Sequence, residues 1–280
     1  MSLYHRPANL HEALDGLATA PAVIAAGCTD LFPATEGPAL DGPVLDITGI
    51  AGLRGIETMD DGWRIGATTT WADIAGAALP PGFDMLKQAA REVGSTQIQN
   101  AGTIAGNLCN ASPAADGVPP LLALDASVEL AASTGTRQLP LSDFITGPRA
   151  TALRPGELLT AVHIPRAAGQ GASRFLKLGA RKYLVISIAM VAARIVARDG
   201  CATQVALAIG ACGPVATRLA AVERALIGLP LADLADAIDA RAVAAALSPI
   251  DDMRGDAAYR HHAALALLRR AVGLAVEDLQ

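Results

Sequence analysis

The stretch VISIAMVAARIVARDGCATQVALAIGACG, residues 185 to 213, constrains the fold more than any other part of the chain. Two apolar runs rich in Val, Ile and Ala flank Asp199-Gly200. A D-G pair between strand-like runs signals a tight antiparallel hairpin. The longest apolar segment, YLVISIAMVAARIVA, runs for about 15 residues and is interrupted by Arg194. A bilayer crossing needs ~20 apolar residues, so this segment reads as a buried strand and no membrane association is expected.

Ahead of the hairpin, helix and strand signals alternate. NLHEALDGLA places apolar residues at helical spacing behind Asn9, a capping residue. PAVIAAG and GPVLDITGI are short apolar runs that read as strands, so residues 1 to about 55 form a small α/β unit. IGATTTWADIAGAAL gives a strand, a cap at Thr69 or Thr70, and a helix; FDMLKQAAREVG gives a second helix stopped by Gly94. ASVELAAS and TRQLPLSDFI alternate as paired strands, and ELLTAVHIPR is another. RAAGQGA, residues 166 to 172, marks a boundary. Beyond the hairpin, VATRLAAVERALIGL, LADLADAIDARAVAAAL and AAYRHHAALALLRRAVGLAVEDL read as helices, so the second half is an α+β domain. The expected division is 1–170, with subdomains of about 1–55 and 56–170, followed by 171–280.

Composition narrows the function. Hydrophobic residues make up 52% but aromatics only 3%, so the core must be built from Ala, Val, Leu and Ile. With 22 Lys and Arg against 27 Asp and Glu and no long basic run, no nucleic-acid partner is expected. The start, MSLYHRPANLHEAL, lacks a charged region followed by an apolar one, so no signal peptide and a cytoplasmic location are expected. Cys28, Cys109, Cys201 and Cys212 are far apart, whereas structural zinc and iron–sulfur sites show close pairs. No metal site and no disulfide are expected, and the thiols read as buried or at loop edges. No Ser/His/Asp constellation stands out, and no catalytic residue is assigned.

Two small-grained segments carry the chemistry. In VIAAGCTDL, residues 23 to 31, a strand runs into Gly27, which can take a positive φ. Successive N–H groups in such a turn form an anion-binding concavity, and Thr29 adds a hydroxyl; a plain turn is the alternative. In NAGTIAGNLCNASPAAD, residues 100 to 116, Gly102 to Asn107 offer free amides, a hydroxyl and a carboxamide. Amide-rich segments satisfy a pyrophosphate without cations. Asp116 would repel phosphate and suits a ribityl or ribose hydroxyl, or else lies in the first turn of a helix capped by Ser112. Neither segment fits the Rossmann or P-loop pattern.

AAGCTDL, residues 25 to 31, resembles the A-G-G-T-D-L loop of the FAD-binding, medium subunits of the xanthine dehydrogenase (molybdenum hydroxylase) family, which includes carbon monoxide dehydrogenase flavoproteins. QIQNAGTIAGNLCNASPAAD is similar to that family's second signature, R-N-x-x-T-I-G-G-N followed by small residues, S-P and Asp. The likeness continues in order through YHRPANLHEAL, LDITGIAGLRGI, IGATTTWADI, LLALDASVEL, GELLTAVHIP, FLKLGARK and DDMRGDAAYRHHAALALLRRA, which spans essentially the whole chain. It implies an α+β fold: a two-subdomain FAD-binding domain of the PCMH type, then a C-terminal flavoprotein domain of antiparallel strands and helices.

The resemblance also implies roles. Ala25, Ala26, Gly27, Cys28, Thr29, Asp30 and Leu31 would wrap the FAD pyrophosphate from one side. Thr103, Gly106 and Asn107, with Ala105 among them, would hold it from the other. Asp116 would bond the polyol chain or ring edge, Leu158 would touch the isoalloxazine and Lys177 would sit near it. The plainer readings are core packing for Leu158 and an exposed strand lysine for Lys177. Ala105 and Cys28 stand where glycine is commoner, and Val185 where many relatives carry Asp. Tyr183 reads as lying near the flavin or at a domain contact. The implied function is electron transfer: [2Fe–2S] clusters of a small subunit, fed by a molybdopterin large subunit, reduce FAD, which passes electrons to NAD or another acceptor. The alternatives are a free-standing flavin oxidoreductase and a flavin-less assembly subunit.

Overall fold

The structure is a computed structural model that describes residues 4–37, 39–182 and 184–280. Sheets succeed one another along the chain. The first comprises β1 (Tyr4–His5), α1 (Leu10–Thr19), β2 (Val23–Ala25) and β3 (Val44–Asp46), its strands parallel in the order β1-β3-β2. Asn9 caps α1, as the sequence predicts: it accepts the Glu12 N–H at 3.0 Å while Glu12 accepts the Ala8 N–H at 2.9 Å. Leu14 and Leu17 of α1 pack with Leu45, Ile47 and Leu53 in a small core that also takes in Leu158.

The second sheet is antiparallel and is interrupted by short helices. In chain order it runs β4 (Ile56–Thr58), β5 (Gly62–Gly66), α2 (Trp71–Gly76), α3 (Asp84–Glu92), α4 (Thr96–Ala101), α5 (Ile104–Asn110), α6 (Val118–Ala123), β6 (Ser127–Ala132), β7 (Gly135–Pro140), α7 (Leu141–Phe144), β8 (Ile145–Gly147), β9 (Ala150–Thr151) and β10 (Leu158–Pro165). The strand order is β4-β5-β10-β6-β7, with β8 and β9 a separate ribbon. Of the two candidate caps for α2, Thr70 is the one used. Its hydroxyl accepts the Asp73 N–H and Asp73 returns the bond to the Thr70 amide. Gly94 follows α3 at φ +52, the left-handed position expected of a helix stop. The strand expected through LSDF stops instead at Pro140, and Leu141 to Phe144 make one helical turn.

The third sheet is β11 (Ala172–Leu178), β12 (Ala189–Arg198), β13 (Cys201–Gly210) and β14 (Thr217–Arg218), antiparallel in that order. Asp199 (φ 52) and Gly200 (φ 75) turn the β12–β13 hairpin. Its near-continuous apolar run has a simple cause. Met190 and Ala192 of β12, with Ala206 and Ala208 of β13, face a core shared with the second sheet and its helices. Val191, Ala193, Ile195, Val205, Leu207 and Ile209 face a separate core. Both faces are buried, so neither needs polar residues.

That separate core is covered by α8 (Ala220–Leu226), α9 (Ala240–Ala245) and α10 (Ala257–Glu277). The single helix expected over LADLADAIDARAVAAAL is replaced by a 3₁₀ turn, Leu231–Asp233, and the short α9. Aspartates compete for local backbone donors, and Asp239 accepts the Arg241 N–H at 2.9 Å, which starts a new helix rather than continuing one. Among the described residues no helix is long and apolar enough to cross a membrane, and no group of His, Cys, Asp and Glu could hold a metal ion.

Candidate functional site

A cavity of about 820 Å³ lies where the two glycine-bearing segments meet, within the ~300–1,000 Å³ typical of ligand pockets. The residues singled out from the sequence line it with the exception of Ala25, which is buried on β2.

The first segment leaves β2 and enters a helical turn, in which Phe32 donates its N–H to the Cys28 carbonyl at 3.2 Å and Ala34 to Asp30 at 3.1 Å. The amides of Gly27, Cys28, Thr29, Asp30 and Leu31, at the start of that turn, have no partner among the described residues. A row of unsatisfied N–H groups bordering a cavity is suited to an anion. Gly27 is needed for closeness rather than for φ. A Cβ there would stand 2.0 Å from the Ala101 carbonyl oxygen and 2.9 Å from Gly102 Cα. The positive φ, +57°, falls instead on Cys28. A side chain in that region costs about 1–2 kcal/mol, partly offset by the ~0.5–1 kcal/mol of chain entropy that glycine loses. Cys28→Gly is therefore expected to stabilise the chain by up to ~1 kcal/mol, read as a higher denaturation midpoint with cofactor retention unchanged.

The second segment is not the open loop with free amides that its composition suggests. Thr103 caps α5, and its hydroxyl accepts the Gly106 N–H at 3.1 Å. The Ile104 amide donates to Thr69 O at 3.0 Å, Ala105 to Ala67 O at 3.2 Å and Asn107 to Thr103 O at 3.0 Å. The small residues serve the close approach of α5 to the neighbouring chain, and the spare donors come from the first segment. Ala105 has ordinary helical backbone and packs in the shared core, so the position has no conformational need of glycine. Asn107 Oδ1 is buried without a hydrogen-bond partner among the described residues, which is unusual enough to point to a missing donor.

The far wall joins two parts of the chain. Lys177 on β11 is no exposed lysine: its side chain is 6% exposed and its ammonium donates to Asp116 Oδ2 at 2.6 Å. Ser187 donates to the other carboxylate oxygen, also at 2.6 Å. Asp116 sits in the turn before α6, not in the first turn of a helix capped by Ser112. Burial pushes its carboxyl above the ordinary value, opposed by the Lys177 ammonium and the Ser187 hydroxyl. Leu158 is buried in the small core with α1 and also borders the cavity. Val185 lines the mouth, between exposed Leu184 and Ile186. Tyr183 lies outside the described residues.

Trp71, which lines the cavity, and Ser187, which stands behind its wall, both escaped the sequence reading. Trp71 is buried behind both segments, and a Cβ at Gly117 would stand 2.3 Å from its ring. Its rarity was the available signal, since the chain has only two tryptophans. Ser187 gave none, because one serine inside a strand-like run looks incidental. Cys28, Cys109, Cys201 and Cys212 are free thiols.

Residues 1–167 match the family model of the FAD binding domain in molybdopterin dehydrogenase, and residues 174–275 that of the CO dehydrogenase flavoprotein C-terminal domain. The chain is 35% identical over 227 residues to the nicotinate dehydrogenase FAD-subunit of Eubacterium barkeri, covering 79% of this chain and 76% of that protein. It is 31% identical to the xanthine dehydrogenase FAD-binding subunit of Escherichia coli O157:H7, over 98% of this chain and 95% of that one. A chain in the solved carbon monoxide dehydrogenase of Hydrogenophaga pseudoflava superposes with a TM-score of 0.89 at 29% identity, covering 97% of this chain and 96% of that one.

Proposed function

This chain belongs to the FAD-binding subunits of the molybdopterin dehydrogenase family, and we propose that it is the flavin-carrying electron-transfer subunit of a heteromeric molybdenum hydroxylase. It is an oxidoreductase subunit and its cofactor is FAD. In this reading residues 1–170 are the FAD-binding domain, with subdomains of about 1–55 and 56–170, and residues 171–280 are the C-terminal flavoprotein domain. The partners are an iron–sulfur small subunit and a molybdopterin large subunit, and NAD or another carrier is the acceptor.

The observation that carries the cofactor assignment is the pairing of unsatisfied donors with an unsatisfied acceptor across one cavity. Five consecutive amides from Gly27 to Leu31 suit the two phosphates, with the Thr29 hydroxyl beside them. Asn107 Oδ1 suits a hydroxyl donor of the ligand. Leu158, Ala26 and Ile98 give the apolar surface that keeps water from a planar ring. Bound FAD supplies the exchange between two-electron and one-electron carriers. The chain holds and orients it, and the buried Asp116–Lys177 pair leaves no free base on that wall.

The test is a visible spectrum of the purified chain, with Asn107→Ala beside it. Flavin bands are expected in the wild type, and a loss of roughly one hydrogen bond's affinity, about tenfold, in the variant. A colourless wild type that also fails to take up added FAD would leave the flavin-less assembly reading. An Asn107→Ala variant with wild-type affinity would remove Asn107 from the site. Co-purification with iron–sulfur and molybdenum subunits separates the electron-transfer role from a free-standing flavin oxidoreductase.

A further inference from the structure

The charged wall of the cavity is tied to the far end of the chain by a string of buried polar contacts. Arg260, in the first turns of α10, is 2% exposed. Its guanidinium donates from Nη1 to the Ile188 carbonyl at 2.6 Å and the Ala211 carbonyl at 3.0 Å, and from Nη2 to Asp252 Oδ1 at 2.7 Å. Three separate segments thus converge on one planar fork, a geometry that lysine does not reproduce. Ile188 in turn donates its N–H to the Leu178 carbonyl at 2.8 Å, which holds residue 188 against the end of β11. Immediately before Ile188 stands Ser187, 1% exposed, whose hydroxyl holds Asp116 Oδ1. Immediately before Leu178 stands Lys177, whose ammonium holds Asp116 Oδ2.

We propose that Arg260 and Ser187 are positioning residues of the flavin site, acting through the Asp116–Lys177 pair on the cavity wall. Neither Arg260 nor Ser187 lines the cavity, whereas Asp116 and Lys177 both do. Arg260 fixes where residues 187 and 188 sit. Ser187 then keeps the carboxylate between two donors, and the ammonium stays turned to the carboxylate instead of the ligand. The wall presents a neutralised pair rather than a bare cation. This inference rests on the FAD reading above.

The experiment uses the full chain loaded with FAD and measures the two-electron midpoint potential and the visible circular dichroism of the bound flavin. Ser187→Ala removes a donor that favours the ionised carboxylate. The wall becomes more positive, which favours the more electron-rich state of the ring. The potential is expected to rise by on the order of tenfold in the reduction equilibrium, ~30 mV for a two-electron couple. Ser187→Thr, which keeps the hydroxyl, is expected to restore the wild-type potential. Arg260→Lys is expected to shift it in the same direction as Ser187→Ala. A folded, FAD-loaded Ser187→Ala or Arg260→Lys protein with wild-type potential and dichroism overturns the proposal. If neither variant accumulates, hydrogen exchange on the wild type decides. Added FAD is expected to slow exchange over residues 178–188 and 255–260 as well as in the two glycine segments, and protection confined to 26–31 and 103–107 overturns the proposal. A wild-type chain that binds no FAD removes the underlying flavin reading, and that result is distinct because it involves no variant.

Discussion

Asp116→Ala is expected to lower the unfolding free energy by about 3–5 kcal/mol, the cost of leaving one member of a buried ion pair uncompensated. The Lys177 side chain is 6% exposed and that of Asp116 9%, so neither charge has much water to turn to. The variant also strands the Ser187 hydroxyl, whose partner is the same carboxylate. Chemical denaturation with the FAD-free chain measures the loss without a contribution from ligand linkage. A second variant makes the reason visible. Asp116→Ala combined with Lys177→Met removes both charges and is expected to recover much of the loss, because replacing a whole buried pair by apolar groups is close to neutral. A single-variant cost below ~1 kcal/mol, the range of exposed pairs, would mean that the wall is open to water in solution.

Gly27→Ala is expected to have the largest effect on cofactor binding for the smallest change in mass. The added methyl would stand 2.0 Å from Ala101 O and 2.7 Å from Ala101 C. Both atoms are backbone, so no rotamer relieves the clash, and the first segment must move off the end of α4. Overpacking of this kind costs about 1–3 kcal/mol. The movement also displaces the five spare amides, and FAD affinity should fall by at least ~10-fold, equivalent to ~1.4 kcal/mol. Gly16→Ala is the matched control. It lies inside α1 with nothing within 4 Å of its added Cβ, and it should gain about 0.5–1 kcal/mol. If isothermal titration gives Gly27→Ala the wild-type affinity, the first segment does not hold the ligand.

Local chemistry made much of the fold legible. The D-G pair set the hairpin, Asn9 and the Thr70 pair set two helix starts, and Gly94 set a stop, each through bonds that span a few residues. The failures have a common cause as well. Aspartate-rich 231–245 looked helical by apolar spacing, but Asp239 takes the Arg241 N–H and starts a separate short helix. The site was legible as two segments and misread in detail. Glycine and small residues signal close approach, but the sequence does not say whether the neighbour is a ligand or another stretch of chain. At Gly27 it is the Ala101–Gly102 backbone, and the amides of Gly102 and of Ile104 to Asn107 are spent on residues 98, 69, 67 and 103. The partners of Asp116 lie 61 and 71 residues away, beyond any local pattern.

The burial of both faces of the β12–β13 hairpin sets an order of events at the ribosome. Met190, Ala192, Ala206 and Ala208 fill a core whose other side is built by residues made earlier, from Trp63 to Ile164. At about 5–20 residues per second, the remaining stretch of the chain takes roughly 5–20 s to follow. During that interval the finished N-terminal part carries an uncovered apolar surface, the kind of exposure that chaperones answer. For the same reason, cutting the chain near residue 170 is expected not to yield two soluble halves. Each fragment keeps one side of a core that only the other can close, and expression vectors for this protein should carry both.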